Sequence, residues 1–420
     1  MAAERTRPFE KVAVIGLGYV GLPMAAVVAS RGIRVVGVDI DERAVKTING
    51  GKAHIVEPDL DILVNAAVTT GMLRAVTEIE PADAFVIAVP TPFREDHKPD
   101  LRHIEAATRK IAPVLKRGDL VVVESTSPVG TTEQVARWLA DARPDLRFPP
   151  NAGADADIYL AHSPERVLPG RVLLELVRND RVIGGLTPAC AARAALLYRN
   201  FVSGECVLTD ARTAELVKLA ENSFRDVNIA FANEIATVCS RLDIDVWRVI
   251  ELANRHPRVH ILKPGPGVGG HCIAVDPWFI VDSAPEDTPL IRAARGVNDS
   301  MPDRVAASVR EAAGGPKTPV ACLGLSYKAD IDDLRESPAV EVVARLAADT
   351  QRPVLVVEPH IARLPARLSG MGNIRLVSLE TALDGAAVVV LLVDHRAFRE
   401  MDPGHMQDKA LIDTRGLWRR

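Results

Sequence analysis

Residues 11–41 read "KVAVIGLGYVGLPMAAVVASRGIRVVGVDID". The first five are an apolar run suited to a strand buried on both faces. Gly16, Gly18 and Gly21 follow, with Tyr19 and Val20 between the last two. A helical stretch comes next, and residues 34–38 repeat the strand pattern before Asp39. Strand, glycine turn, helix, strand and acid is the order of a βαβ unit that holds a dinucleotide. Three glycines alone often mean only a turn, and the surrounding order is what makes them specific. Such glycines let a pyrophosphate approach the backbone, with its charge at a helix N-terminus. Asp39 would accept hydrogen bonds from the ribose hydroxyls and repel a 2′-phosphate, which favours NAD over NADP. Arg43 works against this, since an arginine there can meet a 2′-phosphate. Asp39 is expected to prevail.

Further apolar runs, "AFVIAVP" (84–90) and "LVVVEST" (120–126), alternate with helical segments, as in a doubly wound parallel sheet. The loops after them are "VPTP" (89–92) and "ESTSPVGTT" (124–132), at the sheet edge where ligands lie in this architecture. Thr91 and Thr126 could offer hydroxyls there to a cofactor or a water. They could equally start turns or cap the next helix. Residues 211–241 carry no proline or glycine, and their apolar residues fall on more than one side. A helix of that kind suits a spine between domains or a subunit interface. Beyond residue 315 the α/β rhythm resumes with "PVACLGLSY" (319–327), "PVLVVEP" (353–359), "AVVVLLVD" (387–394) and "ALIDTRG" (410–416), a second parallel sheet. The expected divisions are 1–205, 206–310 and 311–420.

Hydrophobic residues make up 48% of the chain and charged residues 25%, ordinary values for a globular protein. The formal net charge of −4 argues against nucleic-acid binding. No apolar run approaches the roughly 20 residues of a membrane helix, and "MAAERTRPFE" lacks the apolar core of a leader peptide. Five cysteines without a C-x-x-C pair support neither a disulfide framework nor a zinc site, and no metal is expected. The expected location is the cytoplasm, with reduced thiols.

In "ELVKLAENSFR" (215–225), Lys218 and Asn222 are four residues apart and share a helix face. An ammonium and an amide pointing together can hold a developing oxyanion. The alternative is a solvated face with a Glu215–Lys218 pair. "GPGVGGHCIAVDPWF" (265–279) places Cys272 in a loop bared by glycines, with Asp276 in the same loop. A thiolate there could attack an aldehyde, and Asp276 could manage a proton. His271 is not assigned as the activating base. Cys190, Cys206, Cys239 and Cys322 read as packing residues.

In order along the chain, "GLGYVGLP", "VPTP", "ESTSPVGTT", "SPERVLPG", "AELVKLAENSFRDVNIAFANE", "GPGVGGHCIAVDP" and "GLSYKADIDDLRESP" resemble the UDP-glucose/UDP-N-acetylmannosamine dehydrogenase family of sugar-nucleotide 6-dehydrogenases. The resemblance implies two Rossmann-like doubly wound parallel-sheet domains, for NAD and for UDP-sugar. A helical middle domain, whose long central helix forms a homodimer, would join them. It also implies oxidation of a C6 alcohol to a carboxylate, with two NAD reduced. Cys272 resembles the nucleophile that forms a thiohemiacetal and then a thioester. Lys218 and Asn222 would hold the oxyanion, with Lys218 also exchanging the hydroxyl proton. Glu165 matches the glutamate of thioester hydrolysis, Thr126 lies near its water, and Asp276 assists the cysteine. Arg335 would contact the cofactor and Lys328 the sugar nucleotide.

The family's glucose enzymes typically carry lysine where this chain has Val275, and "NRHPRVH" (254–260) also departs from them. Both stretches look like the N-acetylhexosamine branch, closest to UDP-N-acetyl-D-mannosamine. In that branch Arg166, Val167, Arg225, His256, Arg258 and Gly269 line the substrate site, with Arg258 reaching in from the partner subunit. UDP-N-acetylglucosamine or a UDP-hexose is the alternative substrate. A binding protein without turnover is the alternative of another class, and the joint presence of Cys272, Lys218, Asn222, Glu165 and Asp276 speaks against it.

Overall fold

The first sheet is built from β1 (Lys11–Ile15), β2 (Arg34–Val38), β3 (Leu73–Val76), β4 (Ala84–Ile87), β5 (Leu120–Val123), β6 (Tyr159–His162), β7 (Arg181–Gly185) and β8 (Cys206–Asp210). Their spatial order is β3-β2-β1-β4-β5-β6-β7-β8. The coordinates are a computed structural model that describes residues 9–94, 96–149, 151–168, 170–349 and 351–418. Residues 1–8 of the N-terminal stretch discussed above lie outside the described residues. Side chains alternate across the sheet. Val12, Val14, Val86 and Val122 enter one apolar core, and Ala13, Ile15, Phe85, Val121 and Val123 the other. Helices cover both faces, which is why the strands read as continuous apolar runs.

One pair departs from the parallel pattern. β7 runs antiparallel to β6, with Ala161 opposite Gly185 and His162 opposite Gly184, and β8 then pairs parallel with β7. The reversal sets the start of β7 beside the segment that follows β6.

The second sheet comprises β9 (Val320–Leu323), β10 (Val354–Val357), β11 (Ile374–Leu376), β12 (Val388–Leu391) and β13 (Ala410–Asp413). Its order is β11-β10-β9-β12-β13, all parallel. Along the chain, the helices Ala211–Arg241, Val246–Ala253, Asp276–Ser283 and Pro289–Ala313 come after β8 and before β9. The fold is thus two doubly wound sheets with a helical middle.

Asp210 starts the long helix by accepting from the Thr213 N–H at 2.9 Å and the Thr213 hydroxyl at 2.6 Å. Beyond the last turn Asp243 takes a left-handed φ of 54°, a conformation in which helices end. Asp276 is not a loop residue as expected from the sequence. It opens a helix, because residues 271–275 already wind into turns in which the Val275 and Asp276 N–H groups donate to the Cys272 carbonyl. Proline at the second helical position, Pro277, favours that start.

The chain divides into two compact units. One holds the residues through Ala220 together with Trp278–Ser283. The other holds Glu221–Pro277 together with the residues from Ala284 onward.

Candidate active site

At the first glycine turn, Gly16 has a φ of 91° and its N–H donates to the Val38 carbonyl at 2.8 Å. A Cβ on Gly21 would lie 1.8 Å from the Gly16 carbonyl oxygen, so glycine is obligatory where the helix Gly21–Ser30 meets the turn. A Cβ on Gly18 would meet nothing within 4 Å, which leaves that backbone open to an approaching group. No side chain caps the helix at Val20; the Leu22 N–H donates to the Gly18 carbonyl at 3.1 Å and Pro23 has no N–H. Asp39 is locked beside the turn, Oδ2 accepting from Leu17 N at 2.8 Å and Oδ1 from Asp41 N at 3.0 Å. A bare turn, an uncapped helix and an oriented carboxylate fit a dinucleotide. Tyr19 is half-buried in the turn, and Arg43 is exposed on the helix Glu42–Asn49.

The loops after β4 and β5 are tied together. Thr91 Oγ1 donates to the Thr126 carbonyl at 2.5 Å, and Ser125 Oγ to the Val89 carbonyl at 2.7 Å. The proton of Thr91 is therefore committed to the backbone, and only its oxygen lone pairs remain for a ligand. Glu215 is 1% exposed and accepts from Gly130 N, Thr132 N and Thr132 Oγ1 at 2.6, 2.8 and 2.6 Å. Burial pushes its carboxyl above the ordinary range, against the pull of those three hydrogen bonds. This removes the solvated-face alternative with its Glu215–Lys218 pair. Lys218 itself is half-buried.

Glu165, which follows β6, is buried. Its Oε2 accepts from Arg181 Nη2 at 2.7 Å, and its Oε1 from Arg166 N at 2.6 Å. Arg166 sends Nη1 to the Asp180 carbonyl at 3.2 Å, and Val167 packs against the apolar core of the sheet. Arg181 and Glu124 were not anticipated from the sequence. Both lie in strand-like stretches where a charge looks incidental, and only the strand order brings them together.

In the second unit, Asn222 Nδ2 donates to Asp276 Oδ2 at 2.5 Å, and Asp276 is 2% exposed. Asp276 N in turn donates to the Cys272 carbonyl at 2.8 Å, and Cys272 is half-buried. The glycine loop lies flat against the segment after β9. A Cβ on Gly270, whose φ is 83°, would come within 2.9 Å of the Tyr327 ring, and one on Gly269 within 2.6 Å of the Glu336 carbonyl. Gly270 N donates to the Arg335 carbonyl at 3.1 Å. The loop's start is held by Asn233, whose Oδ1 accepts from Gly265 N and whose Nδ2 donates to Asn298, both at 2.9 Å.

Arg335 makes a fork onto Asp333 through Nε and Nη2. Burial pushes that aspartate up, but the bonds from Arg335 outweigh it and hold the carboxyl below its ordinary value. Lys328 is half-buried, and its carbonyl accepts from Ser326 Oγ. Arg225, His256 and Arg258 are exposed. The loop carrying the last two is closed by Asn254, which exchanges two hydrogen bonds with the Ile261 backbone at 2.7 and 3.0 Å. Asp330, His360 and His395 cluster in this unit. Both His395 nitrogens are engaged, however, Nδ1 accepting from Asp330 N at 2.9 Å and Nε2 lying 3.0 Å from Glu358 Oε2.

Comparison with known proteins matches three consecutive stretches to models of the UDP-glucose/GDP-mannose dehydrogenase family. These are the NAD binding domain over residues 10–202, the central domain over 212–300 and the UDP binding domain over 321–420. The chain is 62% identical over 411 residues to an NDP-N-acetyl-D-galactosaminuronic acid dehydrogenase of Ralstonia nicotianae, covering 98% of this chain and 96% of the relative. It is 57% identical over 420 residues to a UDP-N-acetyl-D-mannosamine dehydrogenase of Yersinia pestis, covering 98% and 100%. The solved structure of a UDP-N-acetyl-D-mannosamine dehydrogenase from Pyrococcus horikoshii superimposes with a TM-score of 0.88 at 40% identity, covering 98% and 96%.

Proposed function

The chain belongs to the UDP-glucose/GDP-mannose dehydrogenase family of NAD-dependent oxidoreductases, and on that footing we propose that it oxidises the C6 hydroxyl of a UDP-N-acetylhexosamine to the carboxylate. UDP-N-acetyl-D-mannosamine is the substrate we assign first. The observation that carries the reading is the linked set Asn222–Asp276–Cys272, in which the Asn222 amide donates to the Asp276 carboxylate and the Asp276 N–H to the backbone carbonyl of a cysteine in a bare glycine loop.

NAD, when bound, supplies the hydride acceptor, and an alcohol that becomes a carboxylate gives up two hydrides in succession. Lys218 takes the C6 hydroxyl proton in the first oxidation. The Cys272 thiolate then adds to the aldehyde carbon, because an aldehyde has no hydride to give until a nucleophile has made it tetrahedral. Lys218 and Asn222 hold the resulting oxyanion, and loss of the second hydride leaves a thioester on Cys272. Glu165 takes a proton from water as its oxygen attacks that thioester, beside Thr126. The carbon–sulfur bond breaks, the thiolate departs, and the uronate is released. Asp276 assists proton handling at the cysteine.

Gly16, Gly18, Tyr19, Val20, Gly21, Asp39, Arg43, Thr91 and Arg335 are assigned to the cofactor. Arg166, Val167, Arg225, His256, Arg258, Gly269 and Lys328 are assigned to the sugar nucleotide. The functional divisions are placed at residues 1–205, 206–310 and 311–420. Phe224, Phe231 and Val238 recur at seven-residue spacing on the long helix, 72%, 49% and 45% exposed, and this apolar stripe is where we place a homodimer contact. Among the described residues no helix is long and apolar enough to cross a membrane, and the reaction is assigned to the cytoplasm.

UDP-N-acetyl-D-galactosamine is a second reading, favoured by the Ralstonia relative's name and its 62% identity. A panel of UDP-N-acetyl-D-mannosamine, UDP-N-acetyl-D-galactosamine, UDP-N-acetyl-D-glucosamine and UDP-glucose, ranked by kcat/KM, tests the assignment. Highest kcat/KM with the mannosamine supports it. Preference for UDP-N-acetyl-D-galactosamine replaces it with the second reading, and preference for UDP-glucose overturns both.

A further inference from the structure

The ionic cluster behind Glu165 has no part in the mechanism above. Glu124 leaves the end of β5, Glu165 follows β6, Arg181 opens β7, and Tyr198 ends the helix Pro188–Tyr198. Because His162 faces Gly184 across the antiparallel pair, the same register carried three residues on sets Arg181 opposite Glu165. A parallel β7 would have sent Arg181 to the other end of the sheet. Arg181 Nη2 meets Glu165 Oε2 at 2.7 Å. Its Nη1 meets Glu124 Oε1 at 3.4 Å, and the Tyr198 hydroxyl donates to that same oxygen at 3.4 Å. Arg181 is 2% exposed, Glu124 1% and Tyr198 0%.

Two carboxylates around one buried guanidinium do not both stay charged cheaply. Glu124 is the one that gives way. Burial pushes its carboxyl up to about 8, Arg181 draws it back, and Glu165 adds to the push. Its Oε2 also has no hydrogen-bond partner, which a buried anion would need. At neutral pH the cation is therefore left to Glu165. Three of the other titratable neighbours bring no charge. Cys206, opposite Arg181 on β8, has its thiol pushed up by burial. His162 is held by burial at about 3, and burial pushes the Tyr198 phenol well above its ordinary value. Asp180 is exposed and accepts from Glu205 N.

We propose that Arg181 is a positioning residue for Glu165: its guanidinium, gripped on the far side by Glu124, fixes the orientation of the Glu165 carboxylate for the hydrolytic step. The proposal rests on the reading of Glu165 as the group that takes water's proton.

Arg181→Lys, Arg181→Met and Glu165→Gln would be compared with the wild type by rapid-quench mass spectrometry and NADH absorbance. The substrate is whichever of UDP-N-acetyl-D-mannosamine and UDP-N-acetyl-D-galactosamine the wild type turns over. Formation of the thioester needs no hydrolysis, so the first burst of NADH reports folding and binding in each variant. Arg181→Lys keeps the charge and loses the fork. It should keep the burst, lose steady turnover by about 10- to 100-fold, and accumulate sugar-linked protein at Cys272. Arg181→Met, which loses the cation as well as the fork, should show the same split between burst and steady turnover.

Wild-type turnover in these variants overturns the proposal, and so does a burst lost in step with turnover, which would mark Arg181 as structural only. Should Arg181→Met not fold, the lysine variant decides by the same two readouts. If Glu165→Gln accumulates no adduct, the reading of Glu165 is wrong and the proposal falls with it.

Discussion

Asn222 and Asp276 are joined by a 2.5 Å hydrogen bond from Nδ2 to Oδ2, which ties the long helix to the first residue of the helix Asp276–Ser283. The bond uses one of the two amide protons of Asn222, and the proposed mechanism gives the other to the oxygen at C6. The bond also gives the buried Asp276 carboxylate a donor, which offsets part of the cost of burying it. Asp276→Asn keeps the shape and removes the charge. It should lower kcat by about 100-fold or more, the usual worth of a positioned acid or base, with a melting temperature close to that of the wild type. An unchanged kcat would reduce Asp276 to a helix-capping role.

Lys218→Ala should lower kcat by on the order of 100- to 1000-fold, as loss of an oxyanion donor does, while UDP-sugar affinity falls far less. Titration calorimetry beside steady-state kinetics separates the two. A variant with near-normal kcat would leave Lys218 with no catalytic role.

The enzyme should use NAD far better than NADP, because Asp39 is held by Leu17 N and Asp41 N with its charge beside the glycine turn. Asp39→Ala should narrow the ratio of kcat/KM between the two cofactors. Equal use of both by the unmutated protein would contradict the assignment.

Glu124 predicts a pH signature in stability. Its folded value of about 8 lies above the ordinary 4.5, so the folded chain keeps a proton that the unfolded chain releases. The stabilisation is complete below about 4.5 and is lost as pH rises to about 8. Glu124→Gln cannot titrate. The melting temperature of this variant should therefore gain on the wild type across that window and stay parallel to it outside. A constant difference from pH 4 to pH 9 would show that Glu124 is charged in the folded protein.

Local order was readable from residues alone where one short stretch carries the whole signal. β1, its glycines, β2 and Asp39 lie within 31 residues, and a 31-residue helix without proline or glycine announces itself. What could not be read came from partners distant in the chain. Glu215 looks like half of a surface pair until Gly130 and Thr132, more than 80 residues earlier, are found bonded to it. Arg181 and Glu124 are 57 residues apart and meet only because β7 reverses direction. Asp276 was misplaced for a local reason: a stretch so rich in glycine gives no sign that turns begin at His271 and continue into a helix.

The central claim is that Cys272 carries the sugar covalently between two oxidations, and counting NADH per sugar in the wild type and its Cys272 variants tests it most directly. The wild type should form two NADH per uronate. Cys272→Ala should stop before the acid and carry no adduct. Cys272→Ser should attack poorly and release slowly, because a hydroxyl is far less ionised than a thiol and a worse leaving group. Intact-protein mass spectrometry should then find a sugar-linked chain, mapped to residue 272. Uronate formation by Cys272→Ala at the unmutated rate, with two NADH per sugar, would contradict the account and make Cys272 a packing residue.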